Sequence, residues 1–450
     1  MRADLVVHGG LLVTMDAERR VFADGGIAVR DGSLIDVGPS RTLLERYQPE
    51  KRVDVHGLVI MPGLVNAHVH LTGLDLLPGL EPSDSPSETH LQNWAIPSHV
   101  VCTPDDERVT ARFLALALLK QGITAFIDAG TNRFPQAVLE GLRDMHLRGA
   151  IGTWTWDRWH EPPEFDTTTD AAIARMRSAL ELASTSARVQ VWPILVGHTS
   201  CSDQLWEAAA DEARRRDCNW AFHMSPGNAD GDFFRARFGH DPLVHLDQIG
   251  VLDERAIVTH ALYVSDAEID ILNRSGATVA FCPAGNLHLA SGLSRTGRHV
   301  EMKRVALGTD SPHNLPLLHA AGLACSLFGD MHLNRAALAP ERALEWVTLA
   351  GAEALGAADQ IGSIEIGKRA DLAVFEVVEP IYNVASALVH HTTTGRALHV
   401  FIDGRQVVTN GHVDGEDRIV ADAAATGRDV AKRAGWPVRT GWPVIEGVDS

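Results

Sequence analysis

MPGLVNAHVHL, residues 61–71, places two histidines, His68 and His70, one residue apart behind an apolar run that starts at Leu58 and passes through Pro62-Gly63. Side chains alternate along a strand, so the two imidazoles share one face. Two rings pointing the same way can reach one metal ion, with Zn–N distances of about 2.0–2.1 Å. In a chain with 22 histidines such a pair is half a site, and its meaning depends on partners elsewhere.

Outward from this stretch the chain alternates apolar runs with amphipathic segments. The runs are Val59 to Ala67, Ala125 to Ile127, Ala150 to Trp156, Val189 to Val196, Trp220 to Phe222, Ala256 to Val258, Ala277 to Phe281 and Val305 to Leu307. Helical segments are expected between them over 105–121, 134–148, 203–216, 266–275 and 340–350. Eight β units joined by helices predict an α/β fold of the (β/α)8 TIM-barrel type, with the active site at the C-terminal ends of the strands. A doubly wound open sheet is the alternative, because periodicity does not report closure. The barrel reading demands metal-ligand residue types directly after the runs. His68 and His70 end the first, His223 follows Phe222, His260 follows Thr259, and Asp310 follows Leu307-Gly308-Thr309. Imidazoles and a carboxylate suit Zn, Fe, Co or Mn as a divalent ion and leave a position for a reactive water.

Both ends of the chain read differently, as short strands with turns. Leu5-Val6-Val7, Leu11-Leu12-Val13, Ile27-Ala28-Val29 and Leu34 to Val37 are separated by Gly9-Gly10, Asp24-Gly25-Gly26 and Asp31-Gly32; Ala373 to Phe375, His399 to Ile402 and Val407-Val408 return to the same style. A composite β-sandwich built by both ends follows, since neither half could cover its apolar face alone. The expected organisation is residues 1–60 as the first part of that sandwich, 61–362 as the barrel, 363–415 as its second part, and 416–450 as a tail. The tail carries a helix-like stretch at 419–434 and two tryptophans, Trp436 and Trp442, suited to docking on the barrel or on a second subunit.

A net charge of -18 without a run of Lys or Arg excludes nucleic acid and anionic membrane as partners. Five cysteines, odd in number and without a CxxC pair, exclude a disulfide framework and a zinc knuckle and suit a reducing cytoplasm. The N-terminus lacks the form of a signal peptide, and no stretch approaches the ~18 apolar residues that span a bilayer.

The stretches MPGLVNAHVHL at 61–71, HALYVSDAEIDIL at 260–272, CPAGNLHLASG at 282–292, LGTDSPHN at 307–314 and IGSIEIGKRADLAVF at 361–375 together resemble the amidohydrolase superfamily. The branch they resemble holds triazine hydrolases, cytosine-type deaminases and adenosylhomocysteine deaminases. The resemblance implies that His68, His70, His223 and Asp310 hold one divalent metal, zinc first. It places His260 with this set, beside the attacking water and the substrate, and gives Asp310 the water's proton. No lysine ends the fourth run, WPILVGHTS, where two-metal members carry a carboxylated one, so a mononuclear site is expected. Family grounds also imply a homo-oligomer.

One departure stands out. The deaminases and triazine hydrolases carry a glutamate three residues after the fifth-strand histidine, where it moves protons onto the heterocycle, and Pro226 occupies that place here. Proline has no proton to give. His288, His313 and His198 are then candidates for the missing acid, and Asn286 a further contact in the same stretch as His288. Trp156 and Arg158, within Trp154 to His160, together with Trp94 and His99 in the long first loop, are expected to line the mouth of the barrel. This combination favours a metal-dependent hydrolase that cleaves a non-peptide C–N or related carbonyl bond. Its substrate would be a small aromatic or apolar urea, carbamate, thiocarbamate or amide, close to the phenylurea and thiocarbamate (molinate) hydrolases. The alternatives are a deaminase or chlorohydrolase of an N-heterocycle and, remotely, a non-catalytic scaffold.

Overall fold

The computed structural model describes residues 1–71, 73–81, 89–159, 162–182, 188–292, 296–311, 313 and 315–436. The expected barrel is present. Strand β6 (Leu64–Val69) pairs in parallel with β7 (Ile123–Asp128), β7 with β8 (Arg148–Ile151), and β8 with β9 (Val189–Val191). A second parallel sheet runs through β10 (Ile194–Gly197), β11 (Trp220–Met224), β12 (Ala256–His260), β13 (Thr278–Phe281) and β14 (Val305–Leu307). Trp192-Pro193 separates β9 from β10, so the two are one interrupted strand; a proline cannot donate to the ladder. Parallel bridges Val69 to Asp310 and Thr155 to Leu195 join the sheets along both edges.

Alternation along these strands sorts the core. Val65, Ala67, Ala125, Ile127, Ala150, Ala221, Ile257, Ala280 and Ala306 form one buried cluster with Ala352, Leu355 and Ile361. Leu64, Phe126, Leu195, Phe222, Val258, Val279 and Leu307 belong to the larger cluster shared with the helices. Small and branched side chains fill a barrel interior, and bulkier ones face the surrounding helices. Unbroken alternation from Val65 and Ala67 would turn Val69 inward and His68 and His70 outward. The pairing with β7 slips between Asn66 and Val69, and such an irregularity re-aims side chains.

The helices are set by local signals. Thr103 and Asp106 form a capping box ahead of Pro104–Lys120, and Ser265 with Glu268 does the same for Asp266–Ser275. Asp203–Arg216 matches the expected segment, and the segment expected at 340–350 is two helices, Pro340–Trp346 and Leu349–Ala354. Pro135–Leu142 stops short of the expected 148 because Arg148 already belongs to β8.

The chain ends share one sheet: β1 (Arg2–Val13), β2 (Val21–Arg30), β3 (Ser33–Pro39), β4 (Gln48–Asp54), β5 (Val59–Pro62), β15 (Leu372–Val377), β16 (Thr392–Ile402) and β17 (Arg405–Val408). It forks at β1, which carries β4 along its first half and β5 along its second. Two expected turns are corrected: Gly9-Gly10 and Asp24-Gly25-Gly26 lie inside β1 and β2, where the ladder absorbs them as irregularities. Asp31-Gly32 does turn, with φ of 51° and 74°. The first apolar run also divides, Val59–Pro62 joining the terminal sheet and Leu64 opening the barrel. Sheet and barrel are pinned by Arg148, whose Nε lies 2.7 Å from Asp371 Oδ2 and whose Nη2 pairs with Asp403.

The first βα loop is built from the turn Gly73–Leu76, the π-helical stretch Leu91–Ala95 and the helix Ile96–Val101. The C-terminal helix Glu416–Arg433 lies against it. Lys120 pairs with Glu416 at 2.9 Å, Arg433 pairs with Asp106, and the rings of Trp94 and Trp436 stand 5.9 Å apart. Trp442 and His160 lie outside the described residues.

Candidate active site

The residues expected to bind metal converge. His70 Nε2 lies 3.3 Å from His68 Nε2 and 3.3 Å from His223 Nε2; Asp310 Oδ1 lies 3.2 Å from His70 Nε2 and 3.5 Å from His68 Nε2. Ligands held about 2.0–2.1 Å from a tetrahedral ion stand ~3.3–3.4 Å from each other. The separations therefore match a single divalent ion.

The outer nitrogens support the same reading. His223 Nδ1 donates to the Val196 carbonyl at 2.9 Å, which leaves its Nε2 with a lone pair. His68 Nδ1 meets Thr259 Oγ1 at 3.1 Å, and His70 Nδ1 meets Thr131 Oγ1. Rings held from outside in this way turn their Nε2 atoms toward one another, an arrangement that suits a cation.

Burial dominates the electrostatics. It pushes His260 down to about 3 and, with neighbouring imidazoles, holds His223 well below the ordinary range, so both stay neutral ligands or bases. Burial alone would raise Asp310; hydrogen bonds from His68 and His70 outweigh it and hold the carboxylate well below its usual range. The backbone is strained at the same places. His198, Ser225, His260 and Asp310 have φ of 51°, 54°, 75° and 66°, a region L residues occupy at a cost of roughly 1–3 kcal/mol when the surroundings enforce it.

His260 closes the set from the side, its ring 5.9 Å from His68 and 5.6 Å from His223, with Nδ1 buried and lacking a partner among the described residues. Asn286 is buried, and neither atom of its carboxamide is paired among the described residues. It follows Gly285, where an added Cβ would lie 2.3 Å from Asp310 Oδ2, so only glycine lets this turn approach the carboxylate. His198 stacks on His223 with centroids 5.6 Å apart, and its Nδ1 sits 2.8 Å from Asp230 Oδ2. That same oxygen accepts the Ser225 N–H at 2.7 Å.

Other expectations are corrected. Trp156 does not line an open mouth: it is 4% exposed, stacks on Phe165 at 4.2 Å and donates through Nε1 to the Phe165 carbonyl. With Trp154, Ile96, His99 and Val196 it braces the third loop against the first, because indole area is best spent in packing. Arg158 and His288 are exposed and make no described contact with the centre. His313 is exposed and packs on Phe113, 5.4 Å away. Trp94 is half-buried beneath the C-terminal tail.

Several site residues carry no sequence signal of their own. Thr131, Thr259 and Asp230 are ordinary loop, strand and helix residues until the fold sets them behind a histidine. Asp128 ends β7 and takes the N–H groups of Leu71 and Gly130 and the Asn132 amide, fixing the two loops beside His70. Asp75 lies in the long first loop with no motif around it.

A profile of the Amidohydrolase family matches residues 59–407. Among curated proteins, the chain is 28% identical to a 5-methylthioadenosine/S-adenosylhomocysteine deaminase of Syntrophobacter fumaroxidans, over 90% of this chain and 93% of that one. Among solved structures it is similar to an adenosine deaminase from Xanthomonas campestris with bound zinc, at TM-score 0.87 and 26% identity, covering 96% of this chain and 99% of the other. Its fold also matches a zinc complex of atrazine chlorohydrolase from Arthrobacter aurescens TC1, at TM-score 0.82 and 22% identity, covering 94% and 100%. Family, fold and gathered ligands agree, and the chain belongs to the amidohydrolase family, the metal-dependent hydrolases of carbon–nitrogen bonds other than peptide bonds.

Proposed function

We propose that this chain is a mononuclear metal hydrolase that replaces an amino group, or a comparable leaving group, on an sp2 carbon of a small N-heterocycle. Deamination of a purine nucleoside derivative is the first reading. The observation that carries the chemistry is the clustering of the His68, His70 and His223 ring nitrogens, with Asp310 Oδ1 3.2 Å from His70 Nε2 and 3.5 Å from His68 Nε2, which suits one ion. The choice of substrate class rests on the deaminase names of the relatives. His68, His70, His223 and Asp310 would hold the metal, which supplies Lewis acidity and makes water nucleophilic near neutral pH.

The chain's own groups do the rest. Asp310, kept ionised, takes a proton from the attacking water. His260, kept neutral, accepts or returns a proton through the nitrogen that has no partner among the described residues. His198, oriented by Asp230, presents its other nitrogen beside His223.

Pro226 favours a second reading, hydrolysis of a urea, carbamate, thiocarbamate or amide, in which no ring nitrogen has to be protonated. The two are separated by a panel on the zinc-loaded chain. Methylthioadenosine, adenosylhomocysteine, adenosine and triazines are scored for ammonia or chloride; phenylureas, carbamates and thiocarbamates are scored for released amine or thiol. Ammonia release from the nucleosides supports the first reading. Turnover confined to the carbonyl compounds replaces it with the second.

A further inference from the structure

Three polar groups at this centre are enclosed without a partner among the described residues: Nδ1 of His260, both carboxamide atoms of Asn286, and Oδ2 of Asp75. An unpaired buried polar group costs about 1–3 kcal/mol, so groups left open near the same ligands point to something that pairs them. Asp75 sits in the turn Gly73–Leu76, five residues beyond His70. Ser311 Oγ donates to its Oδ1, and Ser311 is the chain neighbour of Asp310, about 3.8 Å away between Cα atoms. Its charge is felt by His70 and Asp310. Asp75 is therefore tied, through Ser311, to the strand end that carries Asp310. The turn is also fixed from behind: a Cβ on Gly427 of the C-terminal helix would stand 2.5 Å from the Leu76 carbonyl oxygen, so the helix rests directly on the loop backbone.

We propose that Asp75 is a specificity-determining residue whose free oxygen accepts a hydrogen bond from a substrate N–H next to the carbon that water attacks. The preferred substrates then carry at least one hydrogen on that nitrogen, and full alkylation of it is selected against. A carboxylate suits this role better than an amide, because it offers acceptors only and a charge-assisted bond is about twice as strong as a neutral one. This inference rests on the C–N hydrolase reading above and narrows its substrates.

The test uses the zinc-loaded full chain and matched probes: adenosine methylated once or twice on its exocyclic nitrogen, and N-phenylurea against N,N′,N′-trimethyl-N-phenylurea. In the wild type the N–H member of the pair that is turned over has a kcat/KM about 10–100-fold higher, the range of a charge-assisted hydrogen bond. Asp75→Asn removes most of that preference by slowing the N–H member, while Asp75→Glu restores part of it. Calorimetric binding of the N–H product weakens in Asp75→Asn by a similar factor, with zinc content and Tm unchanged. An active wild type whose preference survives Asp75→Asn, or a variant that loses both members equally, overturns the role of Asp75 and leaves the hydrolase reading standing. A wild type inert toward every C–N compound overturns both.

Discussion

The threonines behind His70 and His68 offer the sharpest test of how this centre holds its ion. Thr131 and Thr259 are 6% and 0% exposed, and each meets the outer nitrogen of a proposed ligand through its hydroxyl. The third histidine is held by a main-chain carbonyl, which substitution cannot remove. Valine reproduces threonine's shape without the hydroxyl. Thr131→Val and Thr259→Val should therefore leave the packing in place and free one imidazole each to rotate and to choose the wrong tautomer. Removing such an outer partner typically weakens metal affinity by about 10–100-fold, or ~1.4–2.7 kcal/mol. The assay is competition for zinc against a chelator of known affinity, with the Tm of the metal-free protein as control. Each variant should bind zinc 10–100-fold more weakly, and Thr131→Val should match Thr259→Val within the scatter. Zinc affinity unchanged in both variants would refute the reasoning, because the rings would then be oriented by packing alone. A matching fall in the Tm of the metal-free chain would assign the loss to folding instead.

Further outcomes follow from the same structure. Asp310→Asn should lower kcat by about 10²–10⁴, the range for losing a positioned proton acceptor, and should lower zinc content as well; single-turnover kinetics and metal analysis read both. His260 is held near 3 when folded and titrates at about 6.5 when unfolded. Between those values the unfolded chain binds the extra proton, so the stability contributed is complete above about 6.5 and lost as pH falls toward 3. Urea unfolding of the metal-free chain across that window should show a shallower slope in His260→Gln. Arg148→Met leaves Asp371, whose side chain is 1% exposed, without its cation at the junction of barrel and terminal sheet; a loss of about 3–5 kcal/mol is expected from denaturation curves. Gly427→Val should lift the C-terminal helix off the Leu76 carbonyl and raise KM, measured alongside Tm.

Much of this was legible in the chain itself. The order of apolar runs, the histidine or aspartate after four of them, the missing lysine after the fourth and the proline at 226 are properties of the sequence, and they specify the barrel and its ligand types. Periodicity works there because a strand in a barrel core must be apolar and a helix over it amphipathic, whatever else the chain does. The turns at Gly9-Gly10 and Asp24-Gly25-Gly26 misled because glycine permits a turn without compelling one, and a long ladder pays no penalty for running through it.

Tertiary structure alone decided what lies within 3.5 Å of what. The slip in β6 that aims His68 and His70, the burial of Trp156 in a brace, the pairing of His198 with Asp230 and the hydrogen bond from Ser311 to Asp75 each depend on segments distant in the chain. Local sequence encodes a residue's chemistry and its strand or helix. Distance, burial and the field that shift its pKa come from the barrel and the helix laid across its first loop.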